Sequence, residues 1–333
     1  MSRYFAPDIC PVAMKRAVHS TDRPSPSPRD ACVQRTNDGH GVLGAKSVLS
    51  AEEDAVTLPA EAVSLMYHDV TDRDKWSGFQ RNGARPYILS RDTFDAHLAE
   101  IQRGPLRPAL IDDVDLGGVE RHLFLTFDDG GRSAVHVAER LAQLGWPGHF
   151  FIVTEQIGER TFLDPSEIRE IRQMGHHVGS HSHTHPDIFW DLPLGRMTAE
   201  WKQSGEILSD ILGEPCISAS IPGGDTSRTV LKSAANAGMR YVFTSEPRLQ
   251  IHRVGDCHIL GRLTVKGDLS LDALRARLAG RGWVLTMLQR QLKLLARRTL
   301  APMYRMYVRR STRTYSGPVQ ACATSTGVRD DKL

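Results

Sequence analysis

Between residues 62 and 263 the chain repeats one pattern. A short apolar run of strand length ends on a cluster of polar residues, and an amphipathic stretch of helical period follows. The apolar runs are Val63–Tyr67, His122–Phe127, His149–Val153, His177–Ser180, Ile217–Ile221 and Tyr241–Phe243. Helices are expected from Arg91 to Ile101 behind a Ser90 cap, from Ser133 to Leu144, and from Asp164-Pro165 to about Met174. Two more should run from Arg196 to Leu212 and from Thr229 to Ala237. Repeated β-α-β units imply an α/β fold, a parallel sheet or barrel with helices outside, whose chemistry sits at the carboxyl ends of the strands. The polar clusters fall there: His68-Asp69, Asp128-Asp129, His181 to His185, and Pro222 to Asp225.

The rest of the 333 residues reads differently. Residues 1–60 hold six of the 18 prolines and balanced charges, with Tyr4 and Phe5 as the only aromatics. Such a segment buries too little apolar surface to offset its chain entropy, so a disordered leader is expected. After Lys15-Arg16 comes Ala-Val-His-Ser-Thr-Asp, where a secretory signal would have its apolar core. The longest apolar runs also fall far short of the roughly 18 residues of a membrane span. The expectation is therefore a cytoplasmic protein. Residues 61–270 form the folded domain, 271–316 a basic helical extension, and 317–333 a frayed tail. From Arg275 to Arg313 there are 11 Lys/Arg and no acid, with Leu285, Leu288, Leu292, Leu295 and Leu300 at roughly helical spacing and Pro302 as a break. Two readings stand level: a packed terminal helix with a solvated basic face, or peripheral attachment to the inner membrane through 275–313. A net charge of +3 argues against a nucleic-acid coat. Five scattered cysteines without a CxxC pair exclude a disulfide scaffold and a thiolate zinc site. The sequence sets no oligomeric state.

The densest chemical signal is His181-Ser182-His183-Thr184-His185-Pro186. Histidines at i and i+4 can converge on one cation, and neutral imidazole suits zinc and its neighbours. The alternative is a polar loop with His183 pointing away. The second signal is Thr126-Phe127-Asp128-Asp129-Gly130. Two carboxylates at the end of an apolar strand are costly unless a cation is near. One Asp can ligate while its neighbour faces the substrate; the bland alternative is an Asp N-cap on the next helix. An Asp with two His leaves open metal positions, the catalytic rather than the closed arrangement.

Thr126–Gly130 and His181–Pro186, with Gly148 to Val153 and Met174 to Ser180 as their context, resemble two motifs of the polysaccharide deacetylase family. This is the NodB homology domain of carbohydrate esterase family 4, and the resemblance runs over roughly Val63 to Leu263. It implies a distorted (β/α)7-type barrel and a hydrolase that removes N-acetyl groups from N-acetylhexosamine units of a cell-envelope or exopolysaccharide glycan, or of a lipid-linked precursor. It further implies that Asp129, His181 and His185 hold a divalent metal, zinc first, and that Asp128 is the general base toward the attacking water.

Three departures accompany the resemblance. The family's Arg-x-Pro motif would put an arginine at position 220, where this chain has Ser220-Ile221-Pro222. The aspartate-tryptophan motif is not visible around Tyr241 to Pro247, and at His258 the order of the Leu-x-His motif is wrong. Leu65-Met66-Tyr67-His68-Asp69 resembles the opening strand of the exopolysaccharide and poly-N-acetylglucosamine deacetylase branch, whose barrel is circularly permuted. There His68 would be the general acid; otherwise it is a His packed at the barrel rim. Arg262 is a candidate replacement for the lost arginine, or equally a surface arginine. Trp146 and Trp190 are candidate sugar-facing aromatics, Trp190 the better placed, or else core. Two other functions remain open: hydrolysis of another non-peptide amide on the same barrel, and a catalytically impaired glycan-binding homologue.

Overall fold

The computed structural model describes residues 56–72, 77–224 and 226–311. The expected leader up to residue 55 and the tail from 312 lie outside the described residues. Strand β1, Val56–Tyr67, starts five residues before the expected domain boundary and seven before the expected strand. Its first half pairs antiparallel with β7, Gln250–Val254, across a register shift between Thr57 and Glu61 that spans Pro59, which has no N–H to donate. That pairing is tertiary, and local apolar content alone does not reveal it.

The other strands are β2 (Arg121–Phe127), β3 (His149–Ile152), β4 (His177–Ser180), β5 (Ser218–Ser220), β6 (Tyr241–Phe243), β8 (Cys257–Leu260) and β9 (Leu263–Thr264). They hydrogen-bond in the order β2-β3-β4-β5-β6-β8-β7-β1-β9. Strand β1 also pairs in parallel with β2 from Glu61 to Tyr67, so the sheet closes on itself into a barrel. The hairpin β7–β8 is antiparallel, an insertion the repeated β-α-β pattern does not predict.

Side-chain alternation sorts the strands into two layers. Leu123, Leu125 and Phe127 of β2 face outward, against Phe94 and Leu98 of helix α1 (Arg91–Arg103) and Val137 and Leu141 of α2 (Ser133–Gln143). Phe124 faces inward with Phe151, Phe243 and Leu260, and these fill the barrel. Residues 126 and 128 share the inward parity of Phe124, which brings Asp128 to the carboxyl-end mouth. On β4, Val178 packs outward, which leaves 177, 179 and 181 inward.

Helix α3, Pro165–Gln173, carries a full capping box between Asp164 and Glu167, with Pro165 in its first turn. Helices α4 (Leu194–Leu212) and α5 (Arg228–Asn236) cover β4 to β6 through a second cluster around Trp201, Met197 and Val242. Among the described residues the C-terminal extension holds three helices: α6 (Leu271–Leu278), α7 (Trp283–Thr299) and α8 (Ala301–Ser311). Pro302 falls in the first turn of α8, where its missing N–H costs no helical bond, and so divides the two helices. Arg275 of α6 clamps the buried Glu100 of α1, with Nε 2.6 Å from Oε1, and Trp283 is buried at the start of α7. Among the described residues no helix is long and apolar enough to cross a membrane.

Two buried histidines in the barrel wall are structural. His149 accepts the Ile111 N–H at Nε2 (3.1 Å), and its Nδ1 lies 3.2 Å from the Leu125 carbonyl, which can only accept. Both ring nitrogens of the neutral form are satisfied, and a second proton has no acceptor. Burial first, then the charge of neighbouring His177, pushes its pKa down to about 3. His176 is held in the same way, by Gly148 N–H and the Ala138 carbonyl. A folded-state pKa below the unfolded value means stability that is present above pH ~6.5 and lost as pH falls toward 3. Urea unfolding at pH 5 is expected to show about 2 kcal/mol less stability from His149 alone than at pH 7.5. The pH slope between these values should flatten in His149→Asn, and an unchanged slope would refute the assignment.

Candidate active site

Loop geometry at the mouth is set by three residues held against their backbone preference. Among the described residues, the non-glycine positions with left-handed φ are Asp129 (78°), Ser182 (65°) and His185 (50°). Such conformations cost about 1–3 kcal/mol each and persist where the surroundings over-determine them. Here the determinants are visible. Glu200 of α4, itself buried, accepts the His183 and Thr184 N–H groups (3.0 and 2.8 Å) and the Thr184 hydroxyl (2.9 Å). The Ser182 hydroxyl accepts His185 N–H at 3.1 Å. Glycine is required at 131, where a Cβ would fall 2.3 Å from Asp69 Oδ1.

These loops bring Asp129, His181 and His185 together, with one ligand atom of each within 4.8 Å of the others. His181 Nε2 lies 3.4 Å and His185 Nε2 3.8 Å from Asp129 Oδ1. His183 turns away, to Thr154 Oγ1 (2.9 Å) and Gln203 (3.0 Å). The Ser220 carbonyl, 3.0 Å from His181 Nδ1, can only accept, so Nδ1 carries a proton and Nε2 faces a carboxylate. Positive charge is needed between them. A divalent cation fits this donor set of two imidazoles and one carboxylate, the composition of an open catalytic site. Burial would raise Asp129, but the His181 hydrogen bond, the largest opposing cause, holds it well below the carboxylate range. Burial, followed by the charge of His181, depresses His185 to about 4 and keeps its ring neutral and able to ligate.

Asp128 stands beside this group under different control. Arg262, wholly buried, donates to both its oxygens, Nη1 to Oδ1 at 2.7 Å and Nη2 to Oδ2 at 2.9 Å. The guanidinium also donates to Thr126 Oγ1, Ser220 Oγ and the Thr244 carbonyl, and it lies over the Phe151 ring. Burial alone would raise the Asp128 carboxyl. Arg262 outweighs it, with help from His181, and holds the carboxylate below its ordinary range. The surface-arginine alternative for Arg262 is thereby excluded. Ser220 is small enough to admit this guanidinium from the β8 side, and its Oγ also lies 2.8 Å from His181 Nδ1.

All five expected site residues line one cleft of about 240 Å³. His68 reaches it from the end of β1, its ring 4.8 Å from that of Tyr87. Its neighbour Asp69 is scaffolding: it accepts from Ser77 and Ser133 and so ties the loop carrying Phe79 to α2. The aromatic expectation is corrected. Trp146 is core and Trp190 packs on the α4–α5 cluster, because both sit behind strands rather than at their ends. The cleft's aromatics are Phe79 and Tyr87, joined by Arg81 and, from α7, Arg290. These lie in irregular or distant segments whose spacing carries no motif.

The polysaccharide deacetylase family profile matches residues 117–242. The chain is similar to that family over this stretch. The matched stretch contains Asp128, Asp129, His181 and His185, while His68 and Arg262 lie outside it. A chitooligosaccharide deacetylase of Sinorhizobium fredii (strain NBRC 101917 / NGR234) is 34% identical over 134 residues. That match covers 38% of this chain and 58% of the relative's length. Two solved structures share the fold. The deacetylase PplD of Streptococcus pyogenes, in complex with acetate, has a TM-score of 0.54 at 19% identity, covering 66% of this chain and 98% of that one. IcaB of Ammonifex degensii has 0.53 at 23%, covering 66% and 97%.

Proposed function

We propose that the chain is a metal-dependent hydrolase that removes N-acetyl groups from N-acetylhexosamine units of a glycan. The observation that carries this is the pairing, in one cleft, of an Asp-His-His donor set with a second carboxylate clamped by a buried arginine. Asp129, His181 and His185 would hold the cation, zinc first. When bound, it would polarise the acetamide carbonyl and lower the pKa of an adjacent water. Asp128, kept ionised by Arg262, accepts the proton as the water oxygen bonds to the carbonyl carbon. His68 donates a proton to the amine nitrogen as the C–N bond breaks, and acetate and a free amine leave. Phe79 and Tyr87 offer faces on which a pyranose can stack.

The impaired-homologue reading rested on the missing arginine at 220. Arg262 supplies a guanidinium to the same carboxylate, and that observation favours the enzyme. The testing experiment is acetate release from N-acetylglucosamine oligomers by metal-reconstituted protein, with Asp128→Ala alongside. Metal-dependent release that the variant lacks is expected. Release by both proteins, or by neither, would sink the proposal. His68→Ala separates acid from ligand: turnover should fall about 10²-fold or more with metal content unchanged. Unchanged turnover would leave His68 a packing residue.

A further inference from the structure

Helix α7 is apolar on two opposite faces. Trp283 is buried and Met287 and Leu294 are half-buried, on the side turned to the barrel. Outward stand Val284, Leu285, Leu288, Leu292 and Leu295, which fall within about 100° of arc on a 3.6-residue helix. Leu300, between α7 and α8, and Met303 and Met306 of α8 stand out as well, and these eight side chains are 51% to 75% exposed. A helix on a water-facing surface turns its polar side outward, and a contiguous apolar patch marks a surface that something covers. The same segment is strongly basic, with 11 Lys/Arg and no acid from Arg275 to Arg313. On its inner side α7 walls the cleft: Arg290 donates to the Gly224 carbonyl and lines the same space as His68, Asp128 and Asp129.

We propose that the outward face of α7 and α8 docks on an anionic phospholipid surface, holding the cleft within roughly 10 Å, one helix diameter, of the lipid. The leucines and methionines enter the acyl boundary, and the positive charge of the segment, apart from Arg275 and Arg290, which are engaged with Glu100 and Gly224, favours an anionic surface. Charge decides the occupant. A second copy would set another basic segment against this one, whereas an anionic bilayer satisfies the apolar stripe and the charge together. On the deacetylase reading, the substrate is then a glycan held at the membrane by a lipid rather than a free oligomer.

The test is co-sedimentation of the full chain with vesicles of phosphatidylcholine, with and without phosphatidylglycerol. Binding to the anionic vesicles is expected, weakened by salt, and reduced more than about tenfold in Leu288→Glu/Leu292→Glu with far-UV dichroism unchanged. Leu285→Ser/Leu295→Ser provides the same readout should the first variant misfold. No binding to either vesicle, equal binding to both, or binding that survives both double variants would overturn the proposal. So would a dimer that the variants dissociate in a protein that ignores vesicles. Sedimentation requires no turnover, so its failure is separate from failure of acetate release on soluble oligomers. A vesicle-anchored N-acetylglucosamine oligomer should be deacetylated faster than the free one by the parent protein and not by the variants.

Discussion

Arg262→Ala is expected to destabilise the protein by about 3–5 kcal/mol, the cost of leaving a buried carboxylate without its partner. Arg262 is fully buried, holds Asp128 through two hydrogen bonds, and ties β2, β5 and the loop after β6 together through Thr126, Ser220 and the Thr244 carbonyl. Acetate release should fall by about 10²- to 10⁴-fold, because Asp128 would lose both its orientation and the charge that keeps it ionised. Arg262→Lys keeps the charge but not the planar fork, and should recover only part of either loss. The decisive comparison is Arg262→Ala/Asp128→Ala. Removing both members of a buried pair restores stability toward that of the parent, while activity stays absent. Urea unfolding and acetate release on the four proteins check this. Equal stability of Arg262→Ala and the parent would mean that the guanidinium does not hold Asp128.

On the proposed function, removing His181 should act through metal rather than through the base. His181→Ala is expected to lower bound metal well below one ion per chain and activity by about three orders of magnitude, several kcal/mol of transition-state stabilisation. It also leaves Asp129 buried beside one imidazole fewer, so thermal stability should drop. His183→Ala is the control two residues away. Its ring bonds to Thr154 and Gln203 outside the donor set, so metal content should be that of the parent. Metal analysis by mass spectrometry, read with acetate release, separates the two. Full metal occupancy in His181→Ala would remove this residue from the ligand set.

Much of the candidate site was legible in residue order. Adjacent aspartates ending an apolar run, and histidines four apart ahead of a proline, can be read from local spacing because metal and acid-base chemistry restrict the residue types that serve. Strand and helix order was legible for the same reason: period 2 and period 3.6 are properties of neighbouring residues. The aromatic expectation failed because composition does not say which side of a strand end a tryptophan occupies. Trp190 lies four residues past Pro186, yet it packs behind the barrel, while Phe79 and Tyr87 arrive from loops without periodicity.

The sequence by itself therefore determined the alternating α/β architecture, the Asp128-Asp129 and His181–His185 clusters, and the basic, leucine-bearing C-terminal segment. Tertiary structure alone decided three things. It closed the barrel through β1, whose two halves pair with different strands. It brought Arg262 across 134 residues to Asp128, into the space that Ser220 leaves open. It left the leucine stripe of α7 uncovered by any described residue packed over it. The reason is common to all three. Pairing across the chain depends on which surfaces meet once the sheet curls, and neither spacing nor composition along the chain records that.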